Sequence, residues 1–138
     1  AFNVTNSTFG GFGQVVAGDI DNDGFVDLFL TAPASLVFRL DPVVQNALYR
    51  NLGDGTFEDI TMASGAVAPE TAFSASMADI DNDGYLDIFI SATGRAPVLD
   101  LDVPLPGESY GSILYRNNGD LTFEDVTELA GVSGLYVN

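Results

Sequence analysis

Apolar residues along the chain fall in short runs, divided by clusters of Asp, Asn and Gly. Such punctuation reads as strands and turns rather than helices. Gln14–Gly18 leads into an acidic loop, and Phe25–Thr31 follows as an apolar strand. Ala47–Asn51 makes a third strand. Gly53-Asp54-Gly55 then turns the chain into a fourth, Thr56–Thr61, where Phe57 and Ile60 alternate with Glu58 and Asp59. The same order recurs at Ser74–Ala78, Tyr85–Ser91, Ser112–Asn117 and Thr122–Thr127. Met62–Ala66 and Glu128–Val132 each allow one helical turn, too short to stand alone. The expected fold class is all-β.

The recurrence is literal. DIDNDGFVDLFL at 19–30 returns as DIDNDGYLDIFI at 79–90, and LYRNLGDGTFEDIT at 48–61 returns as LYRNNGDLTFEDVT at 114–127. Self-similarity of this kind marks tandem structural repeats. The added length lies in the Pro-rich stretch 96–106, where a surface loop is lengthened at little entropic cost. Leu121 stands where the first repeat has Gly55. The expectation is that the second hairpin turns without a left-handed residue there. Phe29, Tyr49, Phe57, Phe89, Tyr115 and Phe123 recur at repeat spacing and belong to the core. Arg50 and Arg116 also match, and each is expected to pair with a carboxylate such as Glu58 or Glu124 across its hairpin.

Within each repeat Asp occupies positions 1, 3, 5 and 9 of a nine-residue loop, D-x-D-x-D-G-x-x-D. These are Asp19, Asp21, Asp23 and Asp27, then Asp79, Asp81, Asp83 and Asp87. Four carboxylates so close repel one another unless a cation sits among them. A hard divalent ion prefers such oxygen donors. Gly24 and Gly84 permit the sharp turn, and the carbonyls of Phe25 and Tyr85 at position 7 are placed to add a backbone oxygen. Asp27 and Asp87 close the shell as bidentate ligands, while Asn22 and Asn82 point outward and brace the turn. An EF-hand needs Glu at position 12; here that position holds Leu30 or Ile90. Calcium, with its larger and looser shell, suits the pattern better than magnesium, and two ions per chain are expected.

Composition narrows the function. The chain carries 20 acidic residues against four Lys and Arg, a formal net charge of −16, and no His or Cys. A surface this acidic repels nucleic acid and anionic membranes, and no apolar stretch is long enough for membrane insertion as a helix. Without His, Cys or Lys, the common bases and nucleophiles are missing. Glu58-Asp59 and Glu124-Asp125 face opposite sides of a strand and do not form a catalytic pair. A non-enzymatic protein is expected. The sequons at Asn3 and Asn6 favour N-glycosylation and an extracellular setting.

The segments Gly18–Asp27 and Leu48–Phe57 resemble FG-GAP/VCBS-type calcium-binding repeats, found in the β-propeller of integrin α chains and in cartilage acidic protein. The resemblance implies two tandem four-stranded propeller-blade-like units with Ca²⁺ in the loop joining the first two strands of each. Its ligands would be Asp19, Asp21, Asp23, the Phe25 carbonyl and Asp27, and the equivalents Asp79, Asp81, Asp83, Tyr85 and Asp87. The expected organisation is an N-terminal glycosylated segment or interface strand at 1–12, repeat 1 at 13–67, repeat 2 at 68–132, and a terminal strand at 133–138. Two blades do not close a ring. A calcium-stabilised structural module of the cell surface or extracellular space, used in assembly or adhesion, is the reading that follows. Its partners would be other copies of itself or further repeats. The alternative is a recognition module that binds an extracellular protein or glycan through loops 32–46 and 92–111.

Overall fold

The computed structural model describes residues 13–31, 46–67, 72–92 and 112–133. Eight strands form two four-stranded antiparallel sheets, each in simple sequence order. The first contains β1 (Val15–Gly18), β2 (Asp27–Leu30), β3 (Ala47–Asn51) and β4 (Phe57–Asp59). The second contains β5 (Ala72–Ala78), β6 (Asp87–Ala92), β7 (Ile113–Asn117) and β8 (Phe123–Asp125). The all-β, two-unit reading of the sequence is the observed architecture. The registers correspond as well: Phe29 faces Leu48 and Arg50 faces Glu58 in one sheet, Phe89 faces Leu114 and Arg116 faces Glu124 in the other. Asn3, Asn6, the stretch 96–106 and the segment 134–138 lie outside the described residues.

One apolar cluster draws on both sheets. It joins Ile20, Phe29, Leu48 and Ile60 from the first repeat to Ala75, Ile88, Ile90, Tyr115 and Phe123 from the second. Burial of this continuous patch, rather than either small sheet alone, supplies the driving force. Outside the strands, Thr61 closes the first repeat. Its hydroxyl accepts from the Leu48 amide and donates to Asp59, and Thr127 does the same with Leu114 and Asp125. Glu58 and Asp59 are exposed residues at the end of β4, and Asp59 holds the Thr61 turn. Thr61–Ser64 forms a single helical turn, α1, ended by left-handed Gly65.

The Leu121 expectation is overturned. Leu121 is left-handed, with φ 68°, as Gly55 is at 89°. The two hairpins keep one geometry, because Asn118 N–H bonds Thr122 O just as Leu52 N–H bonds Thr56 O, both at 3.0 Å. Forcing a leucine into this region costs about 1–2 kcal/mol. Packing of its side chain against the core offsets that cost.

Candidate metal centre

Each acidic loop is built around its own aspartates. Asp23 N–H lies 3.2 Å from Asp19 Oδ1 and 3.3 Å from Asp21 Oδ1, Gly24 N–H donates to Asp19 Oδ2, and Phe25 N–H donates to Asp23 Oδ1. The second loop repeats all four contacts with Asp79, Asp81, Asp83, Gly84 and Tyr85. Asn22 and Asn82 adopt φ near +60°, and Gly24 and Gly84 are also left-handed. Alternate side chains are thereby turned to one side. Asp19, Asp21 and Asp23 each offer an oxygen within 4.8 Å of the others, and so do Asp79, Asp81 and Asp87. An all-oxygen, anionic donor set of this kind fits a hard divalent cation.

Position 9 has a further role. Asp27 is fully buried. Its Oδ2 accepts from Ile20 N–H at 2.9 Å and its Oδ1 from Asn51 N–H at 2.8 Å. Burial pushes its carboxyl above the usual range, the two backbone donors oppose that, and Asp21 and Asp23 add to it. Asp87 is held the same way by Ile80 and Asn117. These aspartates tie the loop to β3 or β7 with both oxygens. A carboxylate has about four lone-pair sites, so each oxygen keeps room for an ion.

The ring of the position-7 residue has a packing role that the sequence reading missed. Phe25 lies on the hairpin turn so closely that a Cβ on Gly53 would meet the ring at 2.5 Å. Tyr85 covers Gly119 in the same manner, at 2.9 Å. The aromatic residue thus clamps the acidic loop onto the β3–β4 or β7–β8 turn.

The arginines differ. Arg116 pairs with Glu124 at 2.6 Å, as expected. Arg50 does not pair with Glu58; its Nη2 sits 2.6 Å from Asp21 Oδ2 and 3.3 Å from Asp23 Oδ2. Both contacts are made by one guanidinium nitrogen, so Arg50 bridges two carboxylates of the loop. The first loop therefore contains a cationic side chain among its own carboxylates.

The two loops also meet. Asn22 Nδ2 donates to Gly84 O. Asn117 Nδ2 donates to Leu86 O within its own repeat and to Ile20 O in the other. A continuous polar path results: Asp27 holds the Ile20 amide, the Ile20 carbonyl holds Asn117, and the Asn117 amide holds Asp87. The sequence reading gave Asn51 and Asn117 no task. Their identical place after Leu-Tyr-Arg was the available signal.

Residues 12–49 match the family model of the FG-GAP repeat, and residues 36–90 that of the FG-GAP-like repeat. Integrin alpha-4 of Xenopus laevis is 36% identical over 86 residues, which is 59% of this chain. The matched portion is only 8% of that relative's length. No solved structure matches. With two sheets, two acidic loops and these matches, the chain carries FG-GAP repeats.

Proposed function

We propose that the chain is a calcium-stabilised structural module of the cell surface or extracellular space, serving assembly or adhesion. The observation that carries this reading is the duplicated loop: two independent copies fold their aspartates into the same self-bonded turn. Asp19, Asp21, Asp23, Asp27 and the Phe25 carbonyl would hold one ion, and Asp79, Asp81, Asp83, Asp87 and the Tyr85 carbonyl the other. Bound calcium would neutralise carboxylates that otherwise repel within each loop. Repeat 1 at 13–67 and repeat 2 at 68–132 would then be the two units, each with one site. The similarity to an integrin alpha chain supports the adhesion setting.

Calorimetric titration with calcium tests the sites. Two ions per chain are expected, with a marked rise in melting temperature on binding. Asp21→Ala together with Asp81→Ala should abolish most of the uptake and the rise. Unchanged uptake in that double variant would refute the assignment. An N-glycan on Asn3 or Asn6 belongs with the same setting, and the intact mass of native protein before and after glycosidase checks it.

A further inference from the structure

The contact between the two repeats joins two different faces. Repeat 1 contributes Gly18, Ile20 and Asn22, and repeat 2 contributes Ala75, Met77, Gly84, Leu86 and Asn117. Each repeat owns both kinds of face by internal homology, and among the described residues each has one of them uncovered. The open face of repeat 1 holds Val15, Ala17, Gly24, Val26 and Asn51, the counterparts of Ala75, Met77, Gly84, Leu86 and Asn117. The open face of repeat 2 holds Ala78, Ile80 and Asn82, the counterparts of Gly18, Ile20 and Asn22.

Exposure follows this division. Ile20 is 1% exposed at the contact, and Ile80 is 48% exposed. Ala75 is 8% exposed, and Val15 is 55%. Val26, the counterpart of half-buried Leu86, is 50% exposed. The hydrogen bonds divide likewise. Asn117 spends its amide on a carbonyl of each repeat, whereas Asn51 Nδ2 reaches only Val26 O among the described residues. The atom that should complete Asn51 is the carbonyl of an Ile20-like residue, and Ile80 is one.

We infer that these two faces bind each other between copies of this chain, head to tail, with the Val15–Val26–Asn51 face of one copy seated on the Ala78–Ile80–Asn82 face of the next. The steric fit supports a second copy as the occupant. At the existing contact, a Cβ on Gly18 would lie 2.7 Å from Leu86 Cδ1 and 2.9 Å from Met77 Sδ. The corresponding residue on the open face is Ala78, which has that Cβ. Its opposite numbers, Val26 and Ala17, are smaller than Leu86 and Met77, so the added methyl has room. The polar pairs carry over too: Ile80 O to Asn51 Nδ2, and Asn82 Nδ2 to Gly24 O. Gln14, whose Oε1 accepts from Ala75 N–H, is replaced by Ser74, too short to reach as far. This contact therefore loses that bond. An interface between unlike faces propagates into a filament, or closes if its rotation allows. The inference rests on the assembly part of the proposed function and adds its contact surfaces. Repulsion between copies of net charge −16 is screened by salt and reduced by bound cations.

Sedimentation velocity over a concentration series, in calcium and moderate salt, tests the arrangement. The intact chain should associate. Val26→Glu and Ile80→Glu alter exposed residues on opposite faces, and each should weaken self-association more than about tenfold by burying an unpaired charge. Each variant keeps the face that the other has lost. A mixture of the two should therefore form one-to-one dimers and nothing larger. An intact chain that stays monomeric, or a mixture that does not pair, overturns the inference. If both variants associate as the intact chain does, assembly survives but these faces do not carry it. Calcium stoichiometry, measured on the intact chain, should be two ions whether or not that chain associates. Absence of uptake there would sink the calcium reading of the module, independently of the association result.

Discussion

Arg50 Nη2 lies 2.6 Å from Asp21 Oδ2, inside the first acidic loop, while the equivalent Arg116 turns away to Glu124. The two repeats thus show two placements of one residue on nearly the same scaffold. A guanidinium beside Asp21 and Asp23 competes with any cation for the same oxygens. Calcium should accordingly bind the second loop more tightly than the first. Arg50→Gln removes a partly exposed pair worth about 1 kcal/mol, so the weaker of the two calcium constants should rise about fivefold. Arg116→Gln should leave both constants unchanged. Titration calorimetry resolves the two sites, and an Arg50→Gln protein that keeps the original weaker constant would refute the competition.

Asp27 and Asp87 should matter even in chelator. Each receives two backbone N–H groups with a buried carboxylate. In Asp27→Asn or Asp87→Asn one oxygen becomes an NH₂ group facing an N–H donor. Leaving one buried donor unsatisfied costs about 1–3 kcal/mol. Denaturant unfolding in chelator should show that loss for both variants and a smaller one for Asp21→Ala, which gives up the partly exposed Arg50 pair but relieves repulsion among the loop carboxylates. Equal behaviour of Asp21→Ala and Asp27→Asn would mean that position 9 has no structural role of its own.

The strand order and the acidic loops were legible because duplication writes the same local pattern twice. Ala47–Asn51 could be read to the residue, since turn chemistry brackets it on both sides. What the sequence hid were choices made in three dimensions. Arg50 is near Glu58 by strand register, and only the curl of the loop shows that Asp21 is nearer. Leu121 looked unfit for a left-handed turn because its compensation, packing on the core, comes from residues far along the chain. Asn117 reaches Ile20 across 97 positions, a contact that no local pattern encodes.

Leu121 should reverse the ordinary ranking of alanine and glycine. Leu121→Ala keeps the backbone strain at φ 68° and discards the side-chain packing. Leu121→Gly discards the packing but relieves strain of about 1–2 kcal/mol. The glycine protein should therefore be the more stable of the two, by about 1 kcal/mol after allowing for its looser unfolded chain. Chemical denaturation of both variants decides it, and a more stable alanine protein would show that the turn is not strained.

Tyr115 predicts the behaviour of the fold in alkali. It is buried, and burial first, with Asp125 adding to it, raises its hydroxyl to about 12 from an ordinary 10.0. In the unfolded chain the phenol ionises near 10, while the folded chain holds its proton until about 12. The contribution of Tyr115 is thus complete below pH 10 and is lost as the pH rises from there toward 12. Over that window the unfolded state binds fewer protons, so stability should fall by up to about 1.4 kcal/mol per pH unit for this residue. Tyr49 is shifted in the same direction by partial burial and Asp59, and it steepens the decline. Tyr115→Phe has no proton to lose, and its stability should fall less across the same range. Unfolding free energies of the two proteins at stepwise alkaline pH provide the measurement. Parallel declines would show that Tyr115 ionises normally in the folded chain.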